Sequence, residues 1–200
     1  SNVKLLVDYI YLDTDERRRF AQVSHEYLIE QVQHSGSEPC TAAGSTGNMT
    51  LNYNHPVKYL AWVVEDNSAN DVPLLFSSLA TANHNIGTND EGSVKLMLNG
   101  NDRFWEQKMS YFTQTQAYQH FNAIPVKDRI GVYSFANNSM EHQPSGTCNF
   151  SRIDNAVLQM KHAAGTTGND VDASDQLFIF AVNYNVLRIM SGMGGLAYSN

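Results

Sequence analysis

Glu141-His-Gln-Pro-Ser-Gly-Thr-Cys-Asn-Phe-Ser-Arg-Ile-Asp-Asn155 and Asn183-Tyr-Asn-Val-Leu-Arg-Ile-Met-Ser-Gly-Met-Gly-Gly-Leu-Ala-Tyr-Ser-Asn200 are the two runs on which the reading of this chain turns. The first is a turn feeding a strand: Pro144 presets φ for one turn position, and Gly146 closes the turn two residues later. The second is the end of a long strand that runs into a glycine-rich tail. Neither run groups side chains for chemistry, so both read as structural parts.

Outward from these runs, short β-rich stretches recur between turn-forming ones, the pattern of a sandwich or barrel. Val3 to Leu12 is apolar on both faces and reads as a central strand. Asp13 then reads as a helix N-cap, with Glu16 three residues on, for a short helix through about Gln22. His25 to Gln33 follows as a more polar strand. Met49 to Tyr53 and Val57 to Glu65 read as a hairpin turning at Asn54-His55-Pro56. Ser93 to Asn99 alternates cleanly and ends in the turn cluster Asn99-Gly100-Asn101-Asp102. Residues 104 to 122 carry aromatics and glutamines with one or two short helices. Arg129 to Ala136, Thr147 to Met160 and Gln176 to Met190 complete the set. Loops occupy 35 to 47, 66 to 92 and 162 to 175. The expected fold is all-β: eight antiparallel strands in one sandwich domain spanning 1–200, the number a jelly roll uses, with short helices in the loops.

The 200 residues suit one domain, and 42% hydrophobic content is enough for a core. A net charge of −7 argues against a nucleic-acid-coating surface. Cys40 and Cys148 are far apart and not in a ligand-like spacing; they read as two reduced thiols of a cytosolic protein rather than a single disulfide. The longest apolar runs, Tyr59 to Val64 and Leu177 to Val182, fall far short of the ~20 residues of a membrane-spanning helix. No signal peptide opens the chain. It starts without Met and reads as a strand by Val3, so it is expected to be a piece of a longer polypeptide.

No motif in the chain assigns catalysis. His25, His34, His55, His84, His120, His142 and His162 are scattered singly, with neither His-x-His nor His-Glu-x-x-His spacing. Asp13-Thr14-Asp15-Glu16 resembles the Asp-x-Asp that glycosyltransferases use to hold a metal–nucleotide, but helix capping accounts for these residues. Arg17, Arg18 and Arg19 follow directly; in an acidic chain they read as a solvated helix face or a contact to an acidic neighbouring subunit. Asp170, Asp172 and Asp175 lack the glycine and closing Glu of an EF-hand loop. Gly44 to Gly47 has no Lys-Ser/Thr after it, and Gly192 to Gly195 has no helix after it, so neither is a phosphate or dinucleotide loop. Glu26, Glu30 and Glu65 could in principle serve glycoside hydrolysis, and alternation on polar strand faces explains them more simply. Asn48, Asn137 and Asn149 head Asn-x-Ser/Thr triplets. The expectation is therefore no catalytic, cofactor-binding or metal residue. The runner-up reading is a carbohydrate-binding or carbohydrate-active jelly roll.

Five ordered blocks nevertheless resemble one family, the major capsid proteins of the nucleocytoplasmic large DNA viruses. Asp8-Tyr-Ile-Tyr-Leu-Asp-Thr-Asp-Glu-Arg-Arg-Arg-Phe-Ala-Gln22 with Ser24-His-Glu-Tyr-Leu-Ile-Glu-Gln31 looks like the opening strand, helix and second strand of that family's second jelly roll. Asn54-His-Pro-Val-Lys58 with Trp62-Val-Val64 looks like its central hairpin. Leu98-Asn-Gly-Asn-Asp-Arg-Phe104 resembles a strand entering a long loop. The two runs quoted first complete the likeness. The resemblance implies the carboxy-terminal half of a double jelly-roll subunit, with the amino-terminal jelly roll absent. It implies homotrimeric, pseudo-hexagonal capsomers tiling an icosahedral shell around double-stranded DNA. Capsomer–capsomer and minor capsid protein contacts, no sequence-specific nucleic-acid binding and no transmembrane segment go with it. The expected location is the virion, assembled in the host cytoplasm. Within this picture the segment from Phe104 to Phe121 is expected at a subunit contact, because aromatics are enriched in interface cores.

Overall fold

A computed structural model describes residues 3–41, 45–65, 76–77, 92–124, 130–161 and 176–199. The chain forms two compact units, one of Glu30–Tyr184 and one of Ser1–Ile29 with Asn185–Asn200. Asp170, Asp172, Asp175, His84, His162, Gly44, Arg129 and most of the expected loops at 66 to 92 and 162 to 175 lie outside the described residues.

In the larger unit, two antiparallel sheets enclose the core. The first runs β1 (His25–Pro39), β11 (Gln176–Met190), β3 (Pro56–Glu65), β4 (Phe76–Ser77). One edge of β3 pairs along its length with β11; the other is shared by three short strands. Those are β9 (Cys148–Asn149) at Pro56, β8 (Gly131–Ser134) from Tyr59 to Trp62, and β4 at Val64. The second sheet runs β2 (Thr46–Thr50), β10 (Ala156–Lys161), β5 (Ser93–Leu98), β6 (Asn101–Asp102), with β7 (Gln107–Lys108) also on β5.

Period-2 alternation builds the core. Leu60, Trp62 and Val64 of β3, Leu177 and Ile179 of β11, Val94 and Leu96 of β5, and Leu158 and Met160 of β10 form one buried cluster between the sheets. Full burial of each such aliphatic contributes about 1.5–3 kcal/mol. Gly131 permits the closest packing: a Cβ there would lie 2.3 Å from the Trp62 ring. A π-helical turn (Tyr111–Thr115) leading into α2 (Gln116–His120) covers this side, with Phe112 wholly buried against Trp62.

Three expectations about pairing are corrected here. Met49 to Tyr53 and Val57 to Glu65 are not a hairpin: β2 sits in the second sheet and β3 in the first. Asn54-His55-Pro56 is a corner between sheets, with buried His55 at φ 66°. Gln33 fastens it by donating to the Asn54 carbonyl (2.6 Å) and accepting from its amide (2.9 Å). Thr147 to Met160 is likewise two strands, β9 and β10, in different sheets. The break is a 3₁₀ turn (Phe150–Arg152) that Asn149 caps by accepting from the Ser151 amide. The expected strand at 93 to 99 and the turn after it are present as β5 and β6. Their two-residue link has Asn99 and Gly100 at positive φ, the type I′ geometry that matches strand twist.

The smaller unit holds α1 (Thr14–Gln22), capped by Asp13 as expected, whose carboxylate accepts from the Thr14 amide at 2.6 Å. The tail from Ser191 is not a loose glycine run. Ser191 and Gly192, both at positive φ, turn the chain so that β12 (Met193–Leu196) pairs back on β11, Met190 opposite Met193. The Gly192 amide donates to the Phe20 carbonyl (3.1 Å), and the Arg188 guanidinium meets Glu26 at 2.6 Å.

Val3 to Leu12 is the third correction. It forms no strand; Val3 is 95% exposed, Leu6 92% and Tyr11 91%. Its composition is that of a central strand, but strand character needs a paired edge, and among the described residues none is hydrogen-bonded to it.

Candidate functional site

Among the described residues of the larger unit, charge is drawn inside at Lys58. β3 and β11 lose register at this point: Val182 faces Tyr59 and Asn183 faces Val57, so Lys58 is the extra residue of a β-bulge. Bulges re-aim side chains, and here Val57 and Lys58 are both buried, the lysine to 1% exposure. Its Nζ donates to Glu30 Oε1 of β1 at 2.8 Å and to the Glu141 carbonyl at 2.5 Å, and lies 5.3 Å from the centre of the Tyr184 ring. Tyr184 Oη donates to the His142 carbonyl at 3.2 Å, and His142 Nδ1 stands 3.5 Å from the same Glu30 oxygen.

The chemistry of this cluster follows from its electrostatics. Burial pushes the Lys58 ammonium down, but Glu30 and Tyr184 more than offset it, so Lys58 is held above the ordinary lysine range. A nucleophilic or general-base lysine needs the opposite shift. Lys58 is therefore a permanent cation that fastens the 141–142 loop to the sheet through the Glu141 carbonyl, beside the Tyr184 bond to the His142 carbonyl. The sequence places it in line with Leu60, Trp62 and Val64 on β3, an inward parity that could have flagged it.

Beside it, a shallow cavity of about 250 Å³ lies between α2 and the turn at 138–141, lined by Tyr118, His120, Asn122, Asn138, Met140 and Glu141. The Ser139 amide donates to the His120 carbonyl, and the His120 ring bonds the Asn137 carbonyl at 3.0 Å, so the walls are tied together.

The remaining sequence candidates are held singly. Glu26 pairs with Arg188, Glu30 with Lys58, and Glu65 stands opposite Gln176 at the end of β3. His34 stacks on Phe178 and Phe180, and His25 on Tyr27, with Phe20 tilted against it. Asn48 Oδ1 accepts from Gln159 on an exposed strand face, Asn137 is exposed, and Asn149 caps the 3₁₀ turn. Cys40 is a buried thiol outside any disulfide; Cys148 is half-buried, and burial pushes its thiol up. Among the described residues no three His, Cys, Asp or Glu side chains gather as metal ligands, and no helix is long and apolar enough to cross a membrane. Of the 104–121 segment, Phe104, Tyr111 and Phe112 pack on the core, while Trp105 and Tyr118 are about three-quarters exposed (77% and 76%).

Comparison with known proteins bears on the whole arrangement. The family model described as large eukaryotic DNA virus major capsid protein matches residues 16–195. The chain is 46% identical, over a 220-residue alignment covering 98% of it, to the major capsid protein of Pyramimonas orientalis virus, and spans 48% of that protein. It is 44% identical to the major capsid protein of Paramecium bursaria Chlorella virus 1, with 97% of the chain and 53% of that protein covered. A quasi-atomic model of the PBCV-1 virus capsid superposes with a TM-score of 0.79 at 42% identity, over 96% of this chain and 56% of that one. The chain thus spans about half the length of the curated relatives it matches.

Proposed function

Because the chain belongs to the major capsid protein family of large eukaryotic DNA viruses, we propose that it is a shell-building part: one jelly roll of a double jelly-roll subunit. Three such subunits form a pseudo-hexagonal capsomer, and capsomers tile an icosahedral shell around double-stranded DNA, with minor capsid proteins among their contacts. Assembly takes place in the host cytoplasm. No catalysis is involved, as befits a family of structural capsid proteins; buried Lys58 is neutralised by Glu30 and holds a loop.

The observation that carries this reading is Val3 to Leu12. A strand-like segment with Leu5 87% and Ile10 87% exposed is not viable alone in water. It fits a place between two strands of a further sheet, and the relatives, about twice as long, have room for one. Exposed Trp105 and Tyr118 are the anchors expected at subunit contacts.

The test is negative-stain imaging of the full-length protein. Pseudo-hexagonal trimers are expected; monodisperse monomers at capsid-forming concentrations would overturn the reading. Trp105→Ser with Tyr118→Ser should weaken trimers without lowering the melting temperature of the monomer.

A further inference from the structure

The smaller unit is built without a core of its own. Among its described residues no apolar side chain is buried, whereas Tyr27 is 45% exposed, Leu196 47% and Met193 74%, beside the bare Val3–Leu12 segment. So small a piece needs outside support. Residues 25–29 of β1, 185–190 of β11, and β12 form a three-stranded sheet in it, with two unlike faces. One face holds the Glu26–Arg188 ion pair, its side chains 54% and 48% exposed, which marks it as the water side. The other face is apolar. His25 and Tyr27 stack on it at 6.3 Å, Leu187 stands opposite Leu196, and Ile189 stands opposite Gly194.

Gly194 adds an independent sign. Its φ lies outside the left-handed region, and a Cβ there would come no nearer than 3.9 Å to Ile189 and 4.0 Å to Leu187, ordinary contact distances. Neither backbone nor packing among the described residues calls for glycine, which weakens a strand. A bare strand position of this kind suits close approach by another backbone. We propose that this face is the seat of the other jelly roll of the same subunit, the one whose sheet takes in Val3–Leu12, and that its backbone comes nearest at Gly194.

The inference rests on the double jelly-roll reading above; the relatives, of which the chain spans 48% and 53%, have room for that half. The tether selects this occupant over a second copy. Between Leu12 and His25 lies little but α1, whose 9 residues span about 14 Å. The helix is itself pinned beside the sheet, by the Gly192 amide bond to the Phe20 carbonyl (3.1 Å) and by the Phe20 ring, 4.8 Å from His25. A body that holds Val3–Leu12 is therefore kept next to the apolar face.

Thiol labelling of the full-length protein tests the seat. Leu196→Cys and Met193→Cys chains, both carrying Cys148→Ser to remove the part-exposed thiol, place one probe on each face. The exposures of these positions here, 47% and 74%, differ less than twofold. With the seat occupied, Leu196→Cys should label about tenfold more slowly than Met193→Cys, and equally fast in urea. Gly194→Leu should lower the melting temperature and speed labelling at 196. Gly195→Leu, opposite Arg188 on the ion-pair face with nothing within 4 Å of its Cβ, should do neither. Labelling is repeated on monomers, made by dilution or with Trp105→Ser and Tyr118→Ser, where protection should persist. Loss of protection in monomers would hand the face to a second copy, and equal labelling at 193 and 196 would leave it to water; either overturns the proposal. So does a Gly194→Leu chain that behaves like Gly195→Leu. Normal trimers in which 196 labels freely would overturn the seat alone; a protected 196 in a protein that images only as monomers would overturn the trimer reading alone.

Discussion

Removing the Glu30 carboxylate leaves the buried ammonium of Lys58 with a carbonyl and a ring but no counter-charge. Breaking a fully buried pair from one side costs about 3–5 kcal/mol; Glu30 has 33% side-chain exposure, so Glu30→Ala is expected to cost about 2 kcal/mol. Lys58→Met takes away the cation instead, leaves Glu30 able to reach water, and should cost less. Urea unfolding of both variants checks the order; a larger loss for Lys58→Met would mean that the pair is not what fastens the loop. Gly131 makes a sharper case, since its hydrogen faces the Trp62 indole where a methyl would come within 2.3 Å. Gly131→Ala is expected to lose about 1–3 kcal/mol by overpacking, read as a lower melting temperature. Gly131 could not be recognised from sequence, because the close approach is made by a tryptophan far along the chain. Lys58 was legible in principle: its parity on β3 is that of Leu60, Trp62 and Val64, and only the bulge that buries Val57 beside it was hidden.

Strands announce themselves by alternation, and β3, β5 and β11 stand close to where the pattern puts them. Alternation says which face a residue takes and nothing about which strand lies beside it. That is why Asn54-His55-Pro56 reads as a hairpin turn and is a corner: the turn residues are right, and the partner of β2 is β10, supplied from the other end of the fold. The tail at 191–196 is the converse case. Glycines suggest slackness, but Ser191-Gly192 is a type I′ pair that creates β12. At φ 76°, Gly192→Val should be strained by about 1–2 kcal/mol. Hydrogen exchange should then show the Ala197 amide, which donates to the Val186 carbonyl at 2.8 Å, losing protection. Amides of β5 and β10 should keep theirs. Uniform loss across both would show that the hairpin is not a local device.

For the molecule as a whole, the sandwich class could be read from composition and strand spacing, and the family from five blocks. The site could not, because the Lys58 cluster is assembled from β1, β3, β11 and the 141–142 loop, which only the fold brings together. The titrating groups give a global prediction of one sign. Burial raises the phenols of Tyr53, Tyr59 and Tyr133, and its partners raise Lys58. Each of these groups keeps its proton to higher pH folded than unfolded, so the stability it contributes is complete below the unfolded values and is lost as pH rises through the folded ones. Stability should hold at neutral pH and fall steadily above about pH 10. Urea midpoints across pH 7–11 would show it, and a flat profile to the alkaline limit would contradict the assigned shifts.

The place of β11 between β1 and β3 has a consequence in time. Both neighbours precede it by most of the chain: Tyr53 Oη reaches the Ile179 carbonyl across 126 positions, and Glu65 waits for Gln176. On a ribosome adding about 5–20 residues per second, β1 and β3 emerge many seconds before the strand that joins them, with apolar faces uncovered. Contacts so distant in sequence also fold slowly, in milliseconds to seconds once the chain is released. Newly made subunits are thus open to mispairing while synthesis continues, and a host chaperone that shields β3 until β11 arrives should raise the yield of folded protein more than any stabilising substitution in the finished sandwich.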